Sequence, residues 1–233
     1  MLFDSPQYYS LPYLADSARL FACIANQPWS IFLDSGLPEK RQGRFDILAA
    51  APTTTLVTQG KVTTIISADK TQTSTEDPFT LIQRYLSKQD AIPELPFNGG
   101  AMGYFSYDLG RRLEVLPNIA ENAENIPDMA VGIYAWAVII DHQQAKSYLV
   151  GNAKDEQQWQ SLIQSFSQYP DQVTKSTEFK VKSPIQSNMT EAGYNQAFDR
   201  IKYYLKEGDC YQVNLAQRFE ASCEGDLWTA YCA

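Results

Sequence analysis

The chain has 233 residues, of which 44% are apolar and 12% aromatic, a composition that excludes disorder and can supply one large or two small cores. Its formal net charge of −8 argues against nucleic acid or an anionic membrane as a partner, because either would repel it. No run of 18 apolar residues occurs and no basic segment precedes an apolar stretch near the start, so we expect a cytoplasmic protein without a membrane span or secretory signal.

The first third of the sequence predicts one helix and then a series of strands. Leu20, Phe21 and Ile24 recur at helical spacing and predict a helix over 17–26. Gln59 and Gly60 form a turn signal between two alternating segments, which predicts a hairpin. The strands are predicted at 29–34, 44–50, 53–58 and 61–67.

The remaining elements are predicted from caps and periodicity. Asp77 followed by Pro78 predicts the start of a helix that runs to about residue 88. Gly208 predicts the end of a helix whose apolar face runs from Tyr194 to Leu205. Between them, the patterns predict a long strand at 129–141, a hairpin partner at 146–151, a helix at 155–167 and a polar linker at 168–187 with at most one short strand. Because strands outnumber helices without regular alternation, we expect an α+β fold rich in antiparallel strands.

The segment 210–220 alternates strictly and predicts a strand with two different faces. Tyr211, Val213 and Leu215 would face a core, whereas Gln212 and Asn214 would form either an exposed surface or the polar wall of a pocket. Such a strand needs neighbours, and the short remainder of the sequence cannot supply them. We therefore expect the front half of a larger enzyme.

Two glycine- or arginine-rich segments invite a functional interpretation. Gly99 to Gly103 could cradle a phosphate, but an aromatic run follows and no lysine is near, so a bent strand lying against another backbone is favoured. The pair Arg111 and Arg112 could clamp an anion, but a solvated face or a local ion pair with Glu114 is the simpler alternative.

The patterns around the titratable residues predict structural roles for them. The only histidine, His142, lies in a predicted turn and is interpreted as a surface residue. The acidic segment 121–128 lacks calcium-loop spacing and is interpreted as solvated surface. The four cysteines are scattered without paired spacing, so we expect free thiols and neither a metal site nor disulfides.

Several segments resemble one family in order and spacing. The run at 208–219 reads GDCYQVNLAQRF, and the segments 29–46, 99–112 and 127–134 agree with it. Together they resemble the chorismate-utilising enzymes over nearly the whole chain. Asn214 and the run Asp-Leu-Gly-Arg-Arg are more similar to component I of the aminodeoxychorismate synthases than to component I of the anthranilate synthases.

The resemblance implies a fold and an activity. The fold would be an incomplete two-sheet, helix-covered sandwich, the N-terminal half of the fold of anthranilate synthase component I. It would have an N-terminal-like region at 1–175 and the start of a truncated chorismate-binding region at 185–233. The family enzyme converts chorismate and ammonia to 4-amino-4-deoxychorismate for folate synthesis, with magnesium and a glutamine amidotransferase partner. Its catalytic and magnesium-binding residues would lie in the later half, so no catalytic or metal residue is assigned here and we expect this chain alone to be inactive. The alternatives are an anthranilate synthase component I and a non-catalytic tryptophan-binding module.

The resemblance also implies a tryptophan-like binding site. The family motif positions correspond to Ser35, Gln42, Gly43, Arg44 and Phe45. Hydroxyl and backbone groups can hold the zwitterion of the amino acid while apolar residues hold the indole. A further contacting segment would follow residue 233, so we expect this site to be incomplete. The alternative for Ser35 is a plain turn residue.

Overall fold

The computed structural model describes residues 7–36, 43–68, 70–87, 91–117, 122, 124–152, 156–168 and 178–232. The chain divides into two compact units, Met1–Val173 and Thr174–Ala233. The predicted family regions at 1–175 and 185–233 stay a prediction. In chain order, the first unit contains β1 (Gln7–Leu11), α1 (Ser17–Phe21), β2 (Ile31–Leu33), β3 (Phe45–Ala49), β4 (Thr54–Gln59), β5 (Val62–Ser67), β6 (Lys70–Ser74), α2 (Pro78–Tyr85), β7 (Gly100–Phe105), β8 (Met129–Tyr134), β9 (Trp136–Asp141), β10 (Lys146–Gly151) and α3 (Glu156–Ser167).

Two antiparallel five-stranded sheets make up the first unit. The first sheet has the strand order β1-β10-β9-β3-β2, and the second has the order β6-β5-β4-β8-β7. The strands that pair in each sheet do so in antiparallel register. The predicted α+β class with two antiparallel-rich sheets and covering helices is therefore confirmed.

The apolar faces of the sheets form the core. Helix α2 packs Leu81 and Ile82 against Leu56, Met129 and Val131 of the second sheet, all of them buried. A second cluster contains buried residues that come mainly from the first sheet: Ala49, Met102, Tyr134, Ala137, Ile139 and Val150. Because Met102 lies on the edge strand β7 of the second sheet, the two sheets share this cluster. Full burial of each large aliphatic side chain stabilises the fold by about 1.5–3 kcal/mol.

The segment 129–141 is extended but does not form the single strand that the sequence predicted. It leaves the second sheet at Ala135 and enters the first, so β8 and β9 belong to different sheets. Backbone carbonyl groups at the crossing accept hydrogen bonds from residues that lie outside the paired strands. Thr53 N–H donates to the carbonyl of Ile133 at 2.8 Å, and Asn152 N–H donates to that of Ala135 at 2.9 Å. The prediction of one strand was wrong because both halves are equally apolar, so the pattern shows no boundary.

The glycine-rich segment is a strand, as the structural interpretation predicted. Gly103 lies on β7 opposite Val131, and a Cβ atom built on it would stand 2.0 Å from the carbonyl oxygen of Ala130. The glycine therefore permits a close approach of two backbones and does not cradle a phosphate.

The second unit contains short strands and two helices. Its described elements are β11 (Lys180–Val181), β12 (Gln186–Ser187), α4 (Glu191–Glu207), β13 (Phe219–Glu220), β14 (Cys223–Glu224) and α5 (Leu227–Tyr231). The prediction of at most one short strand within 168–187 was wrong, because both β11 and β12 lie there. Helix α4 ends as predicted at Gly208, whose φ of 82° is left-handed, and the side chain of Thr190 caps its start.

The predicted strand at 210–220 is the clearest error. Only Phe219 and Glu220 are in a strand, paired with Gln186–Ser187, and the residues before them have no regular structure. A strand is defined by its ladder, and no described strand pairs with 210–218. Tyr211 and Val213, which were expected to face a core, are exposed. No described residue of 178–232 is buried.

Within the part of the chain described above, no helix has the length and apolar character needed to cross a lipid bilayer.

Candidate functional site

The end of β2 and the start of β3 bring together most residues of the predicted amino-acid site. Ser35 follows β2, and Gly43 and Arg44 lead into Phe45, the first residue of β3. A Cβ atom on Gly43 would lie 2.6 Å from the carbonyl oxygen of Ser35 and 2.7 Å from its Oγ, so only glycine fits beside Ser35. Gln42, the remaining predicted residue, lies outside the described residues.

Arg44 is held by an ion pair and an aromatic ring. Its Nη2 and Nε donate to Oδ2 of Asp141 at 2.8 and 3.2 Å, and its guanidinium carbon lies 4.4 Å from the centroid of the Phe45 ring. Oδ1 of Asp141 accepts the backbone N–H groups of Gln143 and Gln144 in the turn between β9 and β10. Burial alone would raise the pKa of Asp141, but the hydrogen bonds from Arg44 and the turn outweigh it and leave that pKa below its ordinary value.

Asp46 is a buried carboxylate that contacts Ser35 from the start of β3. Asp46 is 1% exposed and is the second residue of β3. Oδ1 accepts the backbone N–H of Ser35 at 2.8 Å, and Oδ2 accepts the hydroxyl of Ser17 and lies 2.8 Å from Nε2 of His142. Burial would raise the pKa of Asp46, but the hydrogen bonds from Ser17, His142 and Ser35 together lower it below its ordinary value.

His142 is not the surface residue that the sequence predicted. Its side chain is 4% exposed and contacts Asp46 through Nε2, and its Nδ1 lies 3.2 Å from the hydroxyl of Tyr13. The position beside a turn was read correctly, but the ring points back into the fold because a buried carboxylate needs a partner there. The sequence carries one signal for this pair. Asp46 is an acidic residue inside an otherwise apolar strand.

The hydroxyl of Ser35 is buried beside the carboxylate of Asp46. It is close enough to the carboxylate of Asp46 to lower its pKa, yet it is buried and forms no hydrogen bond with any described residue. A cleft of about 270 Å³ is lined by Asp141 together with Tyr8, Tyr148 and the segment 92–95. This volume falls just below the roughly 300–1,000 Å³ of ordinary small-molecule sites, so the cleft alone does not define one.

The other candidates have structural roles. Arg112 donates to the backbone carbonyls of Gly60, Thr75 and Glu76, and Arg111 pairs with Asp108 at 2.7 Å. The predicted local ion pair therefore forms, but with Asp108 in place of Glu114, and the arginines are not arranged as an anion clamp. In the acidic segment, the side chain of Asp128 accepts the backbone N–H of Gly60 at 2.6 Å.

No metal or disulfide site is seen in the ranges that the structure describes. No three His, Cys, Asp or Glu side chains there are grouped so that they could hold a metal ion. All four cysteines are free thiols, and burial raises the pKa of Cys23.

The chain is similar to known proteins in both sequence and structure. The family described as chorismate binding enzyme matches residues 36–233. Aminodeoxychorismate synthase component 1 of Escherichia coli (strain K12) is 42% identical over 232 residues, covering 97% of this chain and 50% of that protein, and the protein of the same name from Klebsiella aerogenes is 43% identical with the same coverage. Anthranilate synthase component I from Streptococcus pneumoniae TIGR4 shares the fold, with a TM-score of 0.61 and 23% identity over 85% of this chain and 47% of that one. The chain thus spans about half the length of the relatives that it matches.

Proposed function

The chain belongs to the family of chorismate-binding enzymes, and from this membership we propose that it forms part of component 1 of an aminodeoxychorismate synthase. One observation carries the choice within the family. Three bacterial proteins of that name are 40%, 42% and 43% identical to 97% of the chain, whereas two anthranilate synthase chains are each 27% identical over 86% and 85% of it. Anthranilate synthesis is therefore the second candidate.

The proposed reaction replaces a hydroxyl group of chorismate by the nitrogen of ammonia, which yields 4-amino-4-deoxychorismate and water. The relatives are named component 1, which supports a second component, and we propose a glutamine amidotransferase that supplies the ammonia. The described residues offer no group of metal ligands. We therefore propose that the magnesium of this reaction is held by the part of the relatives that has no counterpart here, and we derive no step through it.

The first experiment assays the 233-residue chain with chorismate, ammonium and magnesium. We expect no aminodeoxychorismate above a buffer blank, because the chain matches half of its relatives and has no Pro-Ile-Lys-Gly-Thr segment, the setting in which the family resemblance places the nucleophilic lysine. The E. coli relative serves as the positive control. Product formed by the chain alone would contradict the proposal that the catalytic residues lie in the half of the relatives that this chain does not match.

The second experiment separates the two candidate activities. The gene is expressed together with any coding sequence that continues beyond codon 233, and the aminated product is identified by mass and fluorescence. Aminodeoxychorismate is expected because of the higher identity to the relatives of that name. Fluorescent anthranilate as the main product would refute the proposal in favour of the second candidate.

We also propose that Ser35, Gly43, Arg44 and Phe45 belong to an amino-acid site of tryptophan-like chemistry. The buried hydroxyl of Ser35 and the guanidinium of Arg44, which is partly exposed, can bind the polar groups of the amino acid. Gly43 lets the backbone approach them, and Phe45 is a neighbouring aromatic surface. Gln42 and the occupancy of the site by tryptophan are predictions.

Calorimetry with L-tryptophan tests this site directly. Even without the further contacting segment expected after residue 233, the groups present here should give a Kd below about 1 mM, which corresponds to about −4 kcal/mol. Arg44→Gln should weaken binding, whereas Arg84→Gln, which breaks an exposed ion pair with Glu76, is the matched control and should not. The absence of heat with the wild-type chain would count against the ligand.

A further inference from the structure

Asp46 fixes the position of Ser35. Its Oδ1 accepts the backbone N–H of Ser35, and its Oδ2 is held by Ser17 at the start of α1 and by His142 after β9. A carboxylate that is almost fully buried and bonded on both oxygens has little freedom to move. Ser35 is therefore tied to a rigid point on two other elements.

His142 fixes the other side of the site. Its backbone N–H donates to the carbonyl of Arg44 at 2.9 Å, while its ring contacts Asp46 and Tyr13. The residue before it, Asp141, holds the side chain of Arg44. Residues at the end of β9 therefore fix the position of both the backbone and the guanidinium group of Arg44.

We propose that Asp46 and His142 are positioning residues for the amino-acid site, acting through Ser35 and the backbone of Arg44 without touching the ligand themselves. This inference rests on the ligand site proposed above. A displacement of about 1 Å is enough to spoil a set of polar contacts, so the alignment of Ser35, Gly43 and Arg44 depends on the buried pair.

Two charged groups lie near the Asp46–His142 pair, and both already have partners. Arg44 and Asp141 are bonded to each other, and Oδ1 of Asp141 is saturated by the two backbone N–H groups of the turn. Neither group can replace Asp46 if it is removed. The Ser35 N–H would then lose its acceptor, and His142 would lose its buried partner.

The test compares variants by their affinity for L-tryptophan. Asp46→Ala removes every contact, whereas Asp46→Asn keeps an oxygen for the Ser35 N–H and is the conservative rescue. Leu149→Ala opens a cavity on β10, which pairs with β1 and β9 but not with β3, and controls for a general loss of stability. We expect Asp46→Ala to weaken binding at least 10-fold, with Asp46→Asn within about 3-fold of the wild type and Leu149→Ala unchanged.

The outcomes separate this inference from the ligand proposal. Equal affinities for Asp46→Ala and Leu149→Ala would overturn the positioning role while leaving the ligand in place. If the wild-type chain does not bind tryptophan, the ligand proposal fails, and hydrogen exchange of the Ser35 amide then decides. Exchange that is accelerated in Asp46→Ala and His142→Ala but not in Leu149→Ala would support the positioning of Ser35. Equal exchange in all of them would overturn it.

Discussion

Gly103→Ala should destabilise the first unit severely because β7 and β8 approach too closely for a side chain. The new Cβ atom would lie 2.0 Å from the carbonyl oxygen of Ala130 and 2.8 Å from Cα of Val131, and both neighbours are backbone atoms that cannot rotate away. The two strands must therefore separate locally. Gly60→Ala is the matched control, because its φ of 55° is also positive but nothing lies within 4 Å of the added atom.

The expected magnitudes differ by several kcal/mol. Gly60→Ala costs only backbone strain, about 1–2 kcal/mol. Gly103→Ala costs about two ladder hydrogen bonds, at about 1 kcal/mol each, together with strain of about 1–3 kcal/mol, so we expect a total near 4 kcal/mol. At about 2–4 °C per kcal/mol, the Tm should fall by roughly 8–16 °C for Gly103→Ala and by about half of that or less for Gly60→Ala.

Urea unfolding followed by far-UV circular dichroism and tryptophan fluorescence measures both variants. Trp136 and Trp159 are buried in the first unit and respond to its unfolding. If Gly103→Ala came within 1 kcal/mol of Gly60→Ala, the close approach of the two strands would not be a constraint on the fold, and the reasoning would be refuted.

Four smaller predictions concern caps, buried polar groups and exposure. Asp77→Ala removes the carboxylate that caps α2 and should cost about 1 kcal/mol in urea unfolding, whereas Asp77→Asn should be nearly neutral. Tyr134→Phe loses a hydrogen bond to a main-chain carbonyl and should cost about 1 kcal/mol. In the wild type, burial raises the pKa of Tyr134 to about 12, so its stabilising effect should be complete below about pH 10 and be lost as the pH rises through about 12, which absorbance titration would follow. Asp141 has a lowered pKa, so its pairing with Arg44 should stabilise fully above about pH 4 and be lost as the pH falls through the folded-state value; the urea midpoint of Asp141→Asn should vary less over this range. Size exclusion should show oligomers, because apolar side chains within 178–232 are exposed, and a sharp monomer peak would disagree.

Local signals were enough to predict helix ends and hairpins. Asp77 caps α2 and Gly208 ends α4 as expected, because both effects involve neighbours within a few residues. The hairpin at Gly60 was found for the same reason. Strands β1 and β6 were missed, since their polar or mixed residues gain strand structure only from the partners β10 and β5.

The site was only half predictable. The family resemblance identified Ser35, Gly43 and Arg44 as candidate residues, and they lie next to each other in the structure. His142 was misjudged because its partner Asp46 is 96 residues away, and no periodic pattern links two such positions. The strand expected at 210–220 failed for a related reason. Alternation predicts which face a strand would bury, but pairing decides whether the strand forms.

The passage of the chain from one sheet to the other at Ala135 has a mechanical consequence. Only Ala135 lies between β8 and β9, so a single residue joins the two sheets at this point. Any relative movement of the two sheets here must be absorbed by the backbone next to Ala135, where the carbonyl groups of Ile133 and Ala135 are already hydrogen-bonded.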